Sequence, residues 1–196
     1  MNWFYLLLAA FGYLYISWRR FKENYPNEDV VAFNWVGLFL FLIGARLGFG
    51  LVNWGRWQGN VGAWLEFWKI NEALIWGGLI LWILFALLIV KDKEWKLWSF
   101  LEDALPGLAF LVMVMAWAQQ NWRVPVAIVI AALLTLPVRQ KYRSFLWFKS
   151  GRKGFLFFWF MICLCLFLGI FYRSWWGATS LLFVGGLFML GYDKFS

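Results

Sequence analysis

Arg46 lies in the run "FLIGARLGFG", residues 41–50, an otherwise apolar stretch in which small residues flank a guanidinium. A permanent charge at that depth must meet an anion, a carbonyl or water, because leaving it bare in hydrocarbon costs from about 3 to more than about 10 kcal/mol. Guanidinium suits bidentate contact with phosphate, so one expectation is a clamp for a lipid headgroup opening to the outer leaflet. The other is structural, with Arg46 pairing with a carboxylate or helix carbonyls and fixing packing. Gly44 and Gly48 form a small-xxx-small face beside it, able to admit another helix or a headgroup. Gly77 and Gly78 in "INEALIWGGLILW" offer a second point of close approach at similar depth. Glu72, in the same stretch, either caps its helix or meets Arg46, and Arg173 in "FYRSWWGATS" is either an interfacial anchor or a second anion contact.

Other chemistry is scarce. The chain has no histidine, which removes the commonest general base, the haem-histidine ligands and most transition-metal sites. Cys163 and Cys165 are two apart in "MICLCLFLG", so on a helix they point different ways into apolar surroundings. Ser99 precedes Glu102 by three residues, a capping-box spacing that would place Glu102 and Asp103 in the first turn of a helix. No nucleophile with a base, no metal cluster and no phosphate loop is visible. No catalytic residue can be named, and no metal or cofactor is expected.

The elements that must carry these residues are membrane helices. Hydrophobic residues make up 64% of the 196 positions and charged ones 14%, far from the roughly 45–50% and 25% of soluble domains. Apolar stretches recur at 2–18, 31–54, 72–90, 104–120, 123–138, 154–172 and 175–192. Each is near the roughly 17–25 residues that cross a bilayer. The expected fold is all-α, a single domain over 1–196 with seven transmembrane helices and 55–71 as a short extracytoplasmic segment. The stretch 123–138 is the shortest and carries Pro125 and Pro137, and if it did not cross, every later orientation would invert.

With the N-terminus outside, thirteen basic residues fall inside: Arg19, Arg20, Lys22, Lys91, Lys93, Lys96, Arg139, Lys141, Arg143, Lys149, Arg152, Lys153 and Lys194. Four fall outside: Arg56, Lys69, Arg123 and Arg173. That bias predicts an inside C-terminus. The net charge of +8 is then anchoring against anionic lipid and needs no nucleic acid. Tryptophans crowd the span ends, as in an interfacial belt.

Taken in order, "WFYLLLAAFGYLYI", "IGARLGF", "WGGLI" and "DALPGLAF" resemble the prolipoprotein diacylglyceryl transferase family. Its members, in the bacterial cytoplasmic (inner) membrane, move a diacylglyceryl group from phosphatidylglycerol to the lipobox cysteine of a preprolipoprotein. The similarity is strongest over 3–110 and faint after 150. It implies a multi-pass bacterial membrane protein that meets an anionic phospholipid, phosphatidylglycerol, and prolipoprotein signal sequences.

Arg46 and Gly48 match the family's Gly-x-Arg-hydrophobic-Gly segment, and Gly77 and Gly78 match the glycines after its catalytic histidine. Trp76 stands in that histidine's place. Ala116 and Gln119 stand where the family's headgroup-binding Gly-Arg-x-Gly-Asn-Phe signature has its arginine and asparagine. Leu166 and Ile170 replace a later Arg and Glu, while Arg173 matches a further arginine. Losing the histidine costs about 10²–10⁴-fold for proton transfer alone. The expectation is therefore a lipid-binding relative without the usual transfer. An active transferase with a replaced base and a small-solute transporter are the alternatives.

Overall fold

A chain this apolar satisfies its backbone within hydrocarbon by closing hydrogen bonds along helices. The computed structural model describes residues 2–52, 75–141 and 154–172. These form α1 (Asn2–Phe21), α2 (Asn27–Val52), α3 (Ile75–Asp92), α4 (Leu97–Ala118), α5 (Arg123–Lys141) and α6 (Phe155–Tyr172), with no strand among the described residues. The protein is all-helical, and α2 to α6 are each long and apolar enough to cross a membrane. α1, which carries Tyr5, Tyr13, Tyr15, Ser17, Arg19 and Arg20, is not among those five. The stretches 55–71 and 175–192 lie outside the described residues.

Helix ends depart from the apolar runs for local reasons. α2 begins at Asn27, its Val30 N–H donating to the Pro26 carbonyl at 3.0 Å. Glu28 and Asp29 then occupy its first turn, where acids complement the helix dipole. α4 corrects the expected capping box. It starts at Leu97 with Lys96 as N-cap, which makes no side-chain cap, so Ser99 is already helical and Glu102 lies beyond the first turn. α5 absorbs both prolines: Pro125 falls in the first turn, where no N–H is needed, and the helix runs through Pro137 to Lys141. Within it the Thr135 hydroxyl donates to the Ala131 carbonyl at 2.7 Å. α3 and α4 end alike. Glu94 (φ 53) and Gln120 (φ 57) adopt the left-handed conformation while Trp95 N–H reaches the Val90 carbonyl and Asn121 N–H the Ala116 carbonyl, both at 2.9 Å, the Schellman pattern.

The chain gathers into two units, Met1–Leu97 with Pro106–Asn121 and Trp98–Leu105 with Trp122–Ser196. In the first, α2 packs along α3 and α1. Phe33 is its aromatic centre, edge-on to Trp82 (5.7 Å between centroids) and Phe21 (5.6 Å) and stacked on Phe85 (5.5 Å). A Lys93–Asp29 ion pair of 2.9 Å joins the residue after α3 to the first turn of α2, and the Tyr25 and Trp95 rings meet at 4.5 Å.

In the second unit α5 packs along α6, and Trp122 meets Phe171, so the two helices are antiparallel. The Gly154 N–H donates to the Glu102 carboxylate at 2.7 Å, bringing the start of α6 to the start of α4. Gly154 has φ +97, and a Cβ there would lie 2.8 Å from the Cβ of Trp98. Only glycine takes that backbone angle readily and leaves room for the indole.

Candidate functional site

The glycines expected to open space are occupied by helix packing. A Cβ on Gly44 would lie 2.5 Å from the Gly77 carbonyl oxygen and 3.0 Å from Leu81, and one on Gly77 would strike the Gly44 carbonyl and the Cα of Gly48. A Cβ on Gly78 would lie 2.6 Å from the Phe41 carbonyl oxygen. Gly44, Gly48, Gly77 and Gly78 thus come together as one seam along which the α2 and α3 backbones touch.

Arg46 belongs to the other side of α2. At about 100° per residue it is carried some 200° around the helix from Gly44 and as far the opposite way from Gly48. The residue is only 4% exposed, and its guanidinium carbon lies 5.7 Å from the centroid of the Phe49 ring, within cation–π range. Gly50, on the same side, is also buried. Every other charged side chain among the described residues of the first unit, from Arg19 to Asp29 and from Lys91 to Lys96, gathers at the opposite end of α2. Arg46 is about 25 Å along the helix from Asp29. Glu72 and Arg173 lie outside the described residues.

The positions matched to the family's chemistry are not arranged for it. Trp76 is 67% exposed, on the outward face of α3 with Ile80, Ile83 and Leu87. Ala116 is fully buried in α4. Leu166 and Ile170 are exposed on α6, and Gln119 is the C-cap residue of α4. Cys163 is buried and Cys165 half-buried, and both are free thiols. Among the described residues no three His, Cys, Asp or Glu side chains cluster as a metal site would require.

Sequence reasoning passed over a second polar group. Trp82 donates its indole N–H to the Tyr13 hydroxyl at 3.0 Å, buried between α3 and α1, and Asn34 and Ser17, also buried, stand on α2 and α1. Trp82 and Tyr13 are 69 positions apart, and nothing in either local pattern announces the pair. Asn34 is different. It interrupts "VVAFNWVGLF" as Arg46 interrupts its own run, and the same rule finds it.

At the other end of α5 and α6, Arg123 lies over the rings of Trp122 (5.9 Å) and Tyr172 (5.1 Å), an exposed aromatic-basic group of the kind that settles at a membrane surface. No family model matches the chain, and neither a curated protein nor a solved structure proves similar to it.

Proposed function

We propose that this chain is a multi-pass protein of the bacterial cytoplasmic membrane that binds an anionic phospholipid, with Arg46 contacting the phosphate and phosphatidylglycerol as the expected guest. The observation that carries this reading is the placement of Arg46. It is a permanent charge enclosed within an apolar helix, at the end away from all the other described charges of its unit. Enclosure strengthens a guanidinium–phosphate contact, because the surrounding medium screens it less than water does. The glycines act indirectly. By letting α3 lie flat on α2 they fix the helix that presents Arg46.

The frame follows the resemblance to diacylglyceryl transferases: seven spans, N-terminus outside, and a path from the membrane for lipid and for prolipoprotein signal sequences. The usual transfer is absent from this reading, since Trp76, Ala116, Leu166 and Ile170 supply neither base nor electrophile.

The test is the lipid that accompanies the protein through detergent purification. Arg46→Leu is expected to lose most of the phosphatidylglycerol that the parent retains, and Arg46→Lys, which keeps the charge without the bidentate fork, to retain part of it. The 4% exposure of Arg46 favours a second reading, in which the guanidinium is enclosed only to hold its surroundings together. Unchanged phosphatidylglycerol in Arg46→Leu would establish that one.

A further inference from the structure

The buried polar group on α1, α2 and α3 has a geometry of its own. A Cβ on Gly37 would lie 3.2 Å from the Tyr13 hydroxyl and 3.1 Å from the Trp82 indole nitrogen, so the three helices meet at these residues. α1 and α2 run in opposite directions on either side of residues 22–26. Ser17 follows Tyr13 by four residues and Asn34 precedes Gly37 by three. Both therefore stand one turn nearer that connection, at one depth.

Both are enclosed, Ser17 at 1% and Asn34 at 2% exposure. Neither the Nδ2 nor the Oδ1 of Asn34 has a hydrogen-bond partner among the described residues. The Ser17 hydroxyl is near that of Tyr13 without a well-aligned bond to it. On one side the group is closed by the Tyr13–Trp82 hydrogen bond, on the other by the Phe21–Phe33 ring pair, and Gly107 of α4 lies against the Ser17 hydroxyl.

A buried amide with both ends unsatisfied is worse than the leucine that would fill the same volume, so its place in a core calls for a guest. Tyr13, Ser17, Asn34, Trp82, Phe21 and Phe33 carry no charge, which disfavours a phosphate or a bare cation. They offer donors and acceptors at short range, which is what a buried water needs.

We infer that Asn34, Ser17 and the Tyr13 hydroxyl form an internal hydration site between α1 and α2, holding water in long-lived hydrogen bonds. The site is separate from Arg46 and independent of any lipid bound there.

The experiment is nuclear magnetic resonance of the detergent-solubilised chain with 15N-labelled asparagine, in which cross-relaxation from water to the Asn34 side-chain amide is measured. The signal is assigned by its loss in Asn34→Leu or Asn34→Asp. A direct water contact at that amide is expected, together with a lower melting temperature for Asn34→Leu than for the parent. An Asn34 amide with no water contact overturns the site. So does an Asn34→Leu protein that melts higher than the parent, because removal of an unhydrated buried amide is stabilising.

Discussion

Trp76 and Arg46 stand thirty positions apart on neighbouring helices, and their surroundings separate two kinds of evidence. The resemblance assigns Trp76 the place of a catalytic base, yet the ring is on the outer face of α3 among Ile80, Ile83 and Leu87. An indole neither accepts a proton at neutral pH nor, in that position, faces the α2 seam. Incubating the purified protein with phosphatidylglycerol membranes and a lipobox peptide is therefore expected to give no thioether-linked diacylglyceryl product and no released glycerol phosphate above background. Product that disappeared in Arg46→Ala would instead mean that another residue had taken over as base. Single residues were unevenly legible in the sequence. Arg46 stood out because a polar side chain in an apolar run must be accounted for, and Asn34, to which the same rule applies, was passed over. The Tyr13–Trp82 bond is not, since each partner alone reads as one more aromatic in a chain with 17 tryptophans and seven tyrosines.

For the elements, hydropathy located the described helices and misjudged their ends. It registers apolar side chains only, so it missed the charged first turn of α2, and it ended the α5 stretch at residue 138 although the helix continues through Arg139 to Lys141. The Ser99–Glu102 spacing suggested a cap, but the helix begins at Leu97 and Glu102 is used at longer range, accepting the Gly154 N–H. The glycine spacing was legible as a face for close approach. Gly77 and Gly78 were set at similar depth, but what fills the face was not legible, because the small-residue pattern fits a helix or a headgroup equally. The seam makes a graded prediction. Gly44→Ala directs a Cβ at the Gly77 carbonyl, a backbone atom that cannot turn aside, and is expected to destabilise by about 1–3 kcal/mol. Gly12→Ala meets only the Phe110 ring, which can rotate, and is expected to cost less. Reversible unfolding of both variants in mixed micelles compares them directly.

On the scale of the whole molecule, the basic-residue bias and the seven apolar stretches of the sequence predict one map of sidedness. Reporter domains fused after residues 25, 94, 145 and 196 are expected inside and one fused after residue 62 outside. An outside signal at 145 or 196 ends the seven-span arrangement. Two short bonds constrain any such map independently of charge. Asp29 touches Lys93 across α2 and α3, and Glu102 touches Gly154 across α4 and α5. Residues in contact at a membrane face are separated by an even number of crossings, so each bond acts as a parity check on the two helices it encloses. Each bond therefore keeps its own two positions together, so that labelling Asp29 from one side of the membrane reports on Lys93 as well, and labelling Glu102 reports on Gly154.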